Sequence, residues 1–376
     1  MRSISGFWQC AIVAALLVGC GGKKESETAA AASAPEEKVV NVFNWSDYVG
    51  ETTVADFEKN TGIKVTYDVF DSNEVLETKL LSGRTGYDIV VPTAPFLERQ
   101  IKAGVFLKLD KSKLPNLEKM DPEIMQRVAA HDPGNQYSIT YLWGTIGLGY
   151  NPDMVKKALG TDTIDSWSAL LEPQNAAKLA KCGIALLDSP TDVFGAVAIY
   201  KGLDPNSEKP EDLAVVEETL MKIRPYVRYF HSSSYINDLA AGEICLALGW
   251  SGDVLQARDR GAAAAKPVKV AYTIPREGAT NYFDMLAIPA DAPHPGNAHA
   301  FLNHLMEPEV IAKVTNKVRF ANGNAASLPF VDESIRNDPS IYPSAEVRVR
   351  LHPDLAETQA FSRDLNRSWT RIRTGQ

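Results

Sequence analysis

Apolar positions along this chain fall into short blocks separated by polar turns. Residues 39–43 (VVNVF) read as a strand. Residues 53–60 read as a helix, because Val54 and Phe57 lie three apart on one face. Gly62 follows as the expected stop. Next come a strand at 63–70, a helix at 73–81, a buried strand at 87–91 and a helix at 95–103 that opens on Pro95. This β-α-β-α-β-α order predicts an α/β fold, a mostly parallel sheet with helices on both faces. A second block begins near Trp143. Its pattern predicts strands at 144–150, 244–249, 268–274 and 282–288. Helices are expected after Pro152 and at 212–223, 235–241 and 299–306, with an amphipathic helix at 355–372. Two lobes of about 150 residues each suit the length. Open α/β sheets bind ligands beyond the carboxyl ends of their strands, so residues just after strands are the candidates for function.

The N-terminus follows another rule. Met1-Arg2 is a short basic start and residues 12–18 are apolar, too few to span a bilayer. The run ends in Leu17-Val18-Gly19-Cys20, which resembles a bacterial lipobox. Residues 1–19 are thus expected to be a signal peptide, and Cys20 a lipidated cysteine. An ordinary secretory signal with an incidental cysteine is the alternative, and either reading exports the chain. Residues 21–38 hold no large apolar side chain, and 20–38 are expected to form the lipidated cysteine and a flexible tether.

Composition narrows the classes. Hydrophobic residues make up 45% and charged residues 23% of 376, an ordinary globular balance. The 39 Lys+Arg against 47 Asp+Glu give a net charge of -8, which argues against a nucleic-acid partner and for cationic ones. Of four cysteines, Cys10 leaves with the signal. Cys182 and Cys245 remain, and in an oxidising compartment two cysteines suggest one disulfide, with two buried thiols as the alternative. No spacing resembles a metal site. No GxSxG, HExxH, P-loop or GxGxxG is present, so neither an enzyme class nor a cofactor is indicated.

What stands out is an aromatic beside an acid at several strand ends. Asn44-Trp45-Ser46-Asp47-Tyr48 follows the first strand, and Gly249-Trp250-Ser251-Gly252-Asp253 follows the strand at 244–249. Asn281-Tyr282-Phe283-Asp284 is a third case, Asp192 supplies another acid, and Thr93 follows the strand at 87–91. A small organic polycation needs such a set. Carboxylates supply charge and acceptors to an ammonium. A ring face near the cation contributes roughly 0.5 to 2 kcal/mol, and rings cover methylenes at roughly 0.8 kcal/mol per buried CH₂. Each residue also has a plainer reading. Ser46 or Asp47 would cap a helix near Glu51, Asp253 a helix at 254–260 and Asp192 a helix at 194–200, while Trp45 and Trp250 would be core.

These stretches resemble the periplasmic polyamine-binding proteins of bacterial ABC importers, most nearly the putrescine-binding branch. Beyond WSDY and GWSGD, the resemblance rests on residues 57–65 (FEKNTGIKV), 67–75 (YDVFDSNEV), 87–92 (YDIVVP) and 229–239 (YFHSSSYINDL), and on Phe283-Asp284. It implies a two-lobed type II fold whose lobes close on the ligand around a hinge. Lobe 1 would hold 39–143 plus about 274–325, and lobe 2 would hold 144–273 plus about 326–376. By the same resemblance, Trp45, Tyr48, Trp250, Tyr282 and Phe320 would form an aromatic box. Asp47, Asp192, Asp253 and Asp284 would be its acids, and Ser46 and Thr93 its hydroxyl contacts. It also implies that Cys182 pairs with Cys245, that a di- or polyamine is the ligand, and that the periplasmic, monomeric protein serves an inner-membrane ABC permease without catalysing a reaction. Thr93 departs from the family's usual Ser and Asp192 from its Glu. An amine sensor of the same fold and an exported acid-pair hydrolase or lyase are the other functions weighed.

Overall fold

The computed structural model describes Glu36–Gln376. The signal-peptide, Cys20 and tether readings at 1–35 lie outside the described residues. Local chemistry marks the first elements. Strand β1 (Val39–Trp45) precedes the helix Thr53–Thr61, which ends at Gly62 with φ 71°, the left-handed value glycine adopts without a Cβ penalty. Its buried face carries Phe57, stacked edge-on against Phe301 at 4.9 Å. Strand β2 (Lys64–Phe70) and strand β3 (Ile89–Val90) both run parallel to β1. The helix between them, Asn73–Ser82, is capped by the Ser72 hydroxyl on the Val75 N–H.

The later strands are β4 (Ser138–Tyr150), β5 (Ile184–Leu186), β6 (Tyr229–Phe230), β7 (Leu246–Trp250), β8 (Ala271–Thr273), β9 (Ala279–Ala287), β10 (Ala321–Asn322) and β11 (Leu351–Pro353). Their order is β2-β1-β3-β9-β4-β7-β5-β6, with β8 and β10 added to β4 and β11 to β9. The outer three strands on each side are parallel, and the inner strands β9 and β4 run antiparallel to their neighbours in this order, while β11 lies parallel to β9. Strand β4 belongs to both sides. Through Ser138–Thr145 it pairs with β9, and through Ile146–Tyr150 with β7.

Several boundaries moved. The expected strand at 144–150 starts at Ser138, because Asp132 holds the preceding loop by accepting the N–H groups of Gln136, Tyr137 and Ser138. The expected helix at 355–372 is Gln359–Thr374, opened by the Thr358 hydroxyl as its cap. A disulfide joins Cys182 and Cys245 with Cα atoms 5.5 Å apart. These residues lead into β5 and β7, which pair from Ile184 and Leu246 onward, so the bond staples the entry of that ladder.

Candidate functional site

Strand ends from both sides of the sheet converge on one cleft of about 640 Å³. Asp284 lies on β9, bridged to Thr93 at the start of the helix Ala94–Lys102. It is 3% exposed. The Tyr48 hydroxyl donates to its Oδ2 at 2.5 Å. Burial pushes the Asp284 carboxyl up to about 8; the Tyr48 hydrogen bond opposes this, and the charges of Asp192 and Asp253 add to it.

Asp253 sits in the first turn of the helix Ser251–Ala263, which begins where β7 ends. It accepts the Tyr235 hydroxyl at 2.9 Å. Burial pushes its carboxyl up to about 7 against that hydrogen bond, with the charge of Asp47 adding. Asp192 occupies the first turn of the helix Pro190–Tyr200 and accepts the indole Nε1–H of Trp250 at 3.1 Å. It keeps partial exposure, and burial raises it less, to about 6. Neither acid is the residue that starts its helix; Trp250 and Ser189 hold those positions.

The rings form the walls. The Trp45 indole donates from Nε1 to the Val91 carbonyl at 2.8 Å and meets the Trp250 ring edge-on at 5.8 Å. Tyr48 packs edge-on against Phe320 at 5.0 Å, and Phe320 faces Tyr282 at 6.5 Å. The Tyr282 hydroxyl is buried without a hydrogen-bond partner among the described residues. Two glycines let these rings approach. A Cβ on Gly144 would lie 2.7 Å from the Tyr282 hydroxyl, and one on Gly252 would enter the Phe320 ring.

Of the expected site residues, Trp45, Ser46, Tyr48, Thr93, Asp192, Trp250, Asp253, Tyr282, Asp284 and Phe320 all line this cleft. Ser46 donates its hydroxyl to Asp71 Oδ1 at 2.8 Å. Asp47 is not among the lining residues. Its φ of 55° turns it outward, where its half-exposed carboxylate pairs with Arg260 at 3.2 Å. It does not cap a helix either, since the first helix starts from Thr52.

Asp71 and Asp354 also line the cleft and were missed. Each directly follows a strand, β2 and β11; the strand-end rule would have found Asp71, whereas β11 was not among the expected strands. Burial, with the charges of Asp192 and Glu357, holds the Asp354 carboxyl well above the usual range. Of the described residues, five aspartates thus face the cleft, and no Lys, Arg or His lines it. Among the described residues no His/Cys/Asp/Glu group has the arrangement to hold a metal ion, and no helix is long and apolar enough to cross a membrane.

Residues 52–342 match the family of bacterial extracellular solute-binding proteins. The chain is 54% identical over 349 residues to the putrescine-binding periplasmic protein SpuD of Pseudomonas aeruginosa, covering 92% of this chain and 94% of that one. It is 50% identical over 345 residues to the putrescine-binding periplasmic protein PotF of Escherichia coli, covering 91% and 93%. A solved structure described as a putative spermidine/putrescine ABC transporter from Listeria monocytogenes superimposes with a TM-score of 0.82 at 28% identity, covering 90% of this chain and all of that one.

Proposed function

The chain belongs to the bacterial extracellular solute-binding proteins and has their two-lobed type II periplasmic fold, and on that basis we propose that it captures putrescine or a related di- or polyamine for an ABC permease, without chemical conversion of the ligand. The observation that carries this reading is the cleft's acidity: five aspartates between aromatic walls, with no cation among the described lining residues to pair with them. Ionising the buried members, Asp253 and Asp284, without a counter-charge is costly, and an ammonium at each end of a short alkane relieves it. The indoles of Trp45 and Trp250 and the ring of Phe320 would cover the methylenes. Asp253 and Asp284 would take one terminus and Asp192 the other. Relatives that carry putrescine in their names support the choice of amine.

The capture step is lobe closure. We assign 39–143 with about 274–325 to one lobe, and 144–273 with about 326–376 to the other. The change of partner along β4, from β9 to β7 after Thr145, supports this division. So does the C-terminal helix, where Arg371 and Ser368 bond Glu217 on the second side. Trp45, Tyr48 and Asp284 would offer one half-site, Asp192, Trp250 and Asp253 the other, and the amine would shift the population to the closed form. Periplasmic residence, a Cys20 lipid anchor and a monomeric state complete the proposal. Calorimetry with putrescine, cadaverine, agmatine and spermidine tests it: saturable heat with at least one amine is expected, and none with any of them ends the reading.

A further inference from the structure

Residues 231–234 are a histidine followed by three serines, a set that would suit a base and its nucleophile. The geometry gives the histidine another task. Strand β6 ends at Phe230, and the His231 N–H extends its pairing by donating to the Leu186 carbonyl at 2.9 Å. The chain then turns into the helix Ser234–Ala241. Ser232, Ser233 and Ile236 line the cleft, whereas His231 does not.

A helix start leaves backbone N–H groups without partners. Ser233, at the cap position, offers no side-chain acceptor to them. The exposed His231 imidazole does. Its Nδ1 accepts the Ser233 N–H at 3.1 Å and the Ser234 N–H at 3.2 Å. This is the turn that an Asn or Asp side chain makes with the N–H groups two and three residues on. It also fixes the tautomer, because a nitrogen that accepts leaves the ring proton on Nε2. The lone pair a catalytic base would use is thus spent on the backbone.

The helix started in this way carries Tyr235 in its first turn. Tyr235 is wholly buried, and Gly249 makes room for it, since a Cβ there would lie 2.6 Å from the ring. The Tyr235 hydroxyl donates to Asp253 Oδ2 at 2.9 Å and accepts the Trp250 N–H at 3.2 Å. One phenol therefore sets both an acid and an indole of the cleft.

We propose that His231 is a positioning residue of the amine site: its imidazole caps the helix at Ser234, and the capped turn holds Tyr235 against Asp253 and Trp250. The effect on binding rests on the amine reading, but the tie from His231 to Asp253 does not.

Three substitutions test it. Asn places an oxygen where Nδ1 stands, Gln carries its polar atoms farther out, near Nε2, and Ala has none. Calorimetry should find amine affinity weakened roughly fivefold in His231→Ala and His231→Gln, the scale of a lost cap, and within about twofold of the parent in His231→Asn. In a Tyr235→Phe background, His231→Ala should weaken it no further. Two readouts need no amine. The carboxyl carbon resonance of Asp253, assigned through Asp253→Asn, should titrate higher in His231→Ala than in the parent, because the Tyr235 hydroxyl holds that carboxyl down. The ring-nitrogen resonances of neutral His231 should place its proton on Nε2. The proposal is overturned by an Asp253 titration that is the same in His231→Ala and the parent, by a ring proton on Nδ1, or by His231→Asn weakening binding as much as His231→Ala. A parent protein that binds no amine overturns the proposed function instead, and the Asp253 titration then decides this inference alone.

Discussion

Asp132 and Asp284 are both hidden from water, at 0% and 3% exposure, yet they are built to opposite ends. In the loop before β4, Asp132 accepts the N–H groups of Gln136, Tyr137 and Ser138 and the Ser138 hydroxyl. Its charge is met by fixed donors from its own neighbourhood, and it shapes the loop. At the cleft wall, Asp284 accepts a single phenol hydroxyl. Asp253 likewise has one tyrosine, and Asp192 is held by the Trp250 indole. Acids elsewhere meet cations, as Glu77 meets Arg99 and Glu217 meets Arg371. A buried acid surrounded by N–H groups is a structural strut. A buried acid with one neutral donor, in a space without cations, is poised for a cation from outside.

The contrast yields graded outcomes. Asp284→Asn should cost about 3 to 5 kcal/mol of amine binding by calorimetry, because an ammonium loses its buried counter-charge. The same variant should melt no lower than the parent when empty; a large drop in stability would place Asp284 with Asp132. Asp132→Ala should show the reverse, losing about 3 kcal/mol in urea unfolding as its N–H donors are orphaned, with amine affinity of the folded fraction unchanged. Next in size, Trp250→Ala should weaken binding by about 2 kcal/mol, from lost ring contact and the freed Asp192. A near-neutral result would make that indole plain core.

The pH response comes next. The carboxyls of Asp192, Asp253 and Asp284 lie near 6, 7 and 8, above the ordinary 3.8. Folded-state values that are raised stabilise the empty protein most below about pH 4, and this contribution fades as pH climbs through 6 to 8. The empty protein should therefore melt progressively lower across that window. Amine affinity should rise over the same window, by up to about tenfold per unit for each proton displaced. Calorimetry in buffers of different ionisation heat would register the released protons, and a flat profile would contradict the shifts. Smallest is Asp47→Ala. With its carboxylate half exposed on Arg260, it should change affinity by less than about 0.5 kcal/mol. A large loss would return Asp47 to the binding set.

Much of this was legible in the chain. The helix ending at Gly62 and the strands around Trp45, Trp250 and Asp284 follow from local patterning, and strand ends carry most of the cleft. Adjacency in WSDY says nothing of the positive φ of Asp47, whose carboxylate pairs with Arg260 and is not among the cleft's lining residues. Asp354 was missed because its strand is three residues long and finds its place only by pairing with distant β9. Tyr235 was read as part of a helix, and its role in holding Asp253 depends on packing against the next helix.

The want of any basic side chain along the cleft wall also sets what is turned away. Ornithine carries the two ammonium groups of putrescine and adds a carboxylate. On the proposed reading, that extra anion would meet five aspartates and no basic group among the described lining residues, so discrimination between a metabolite and its decarboxylated product would fall to repulsion rather than to shape.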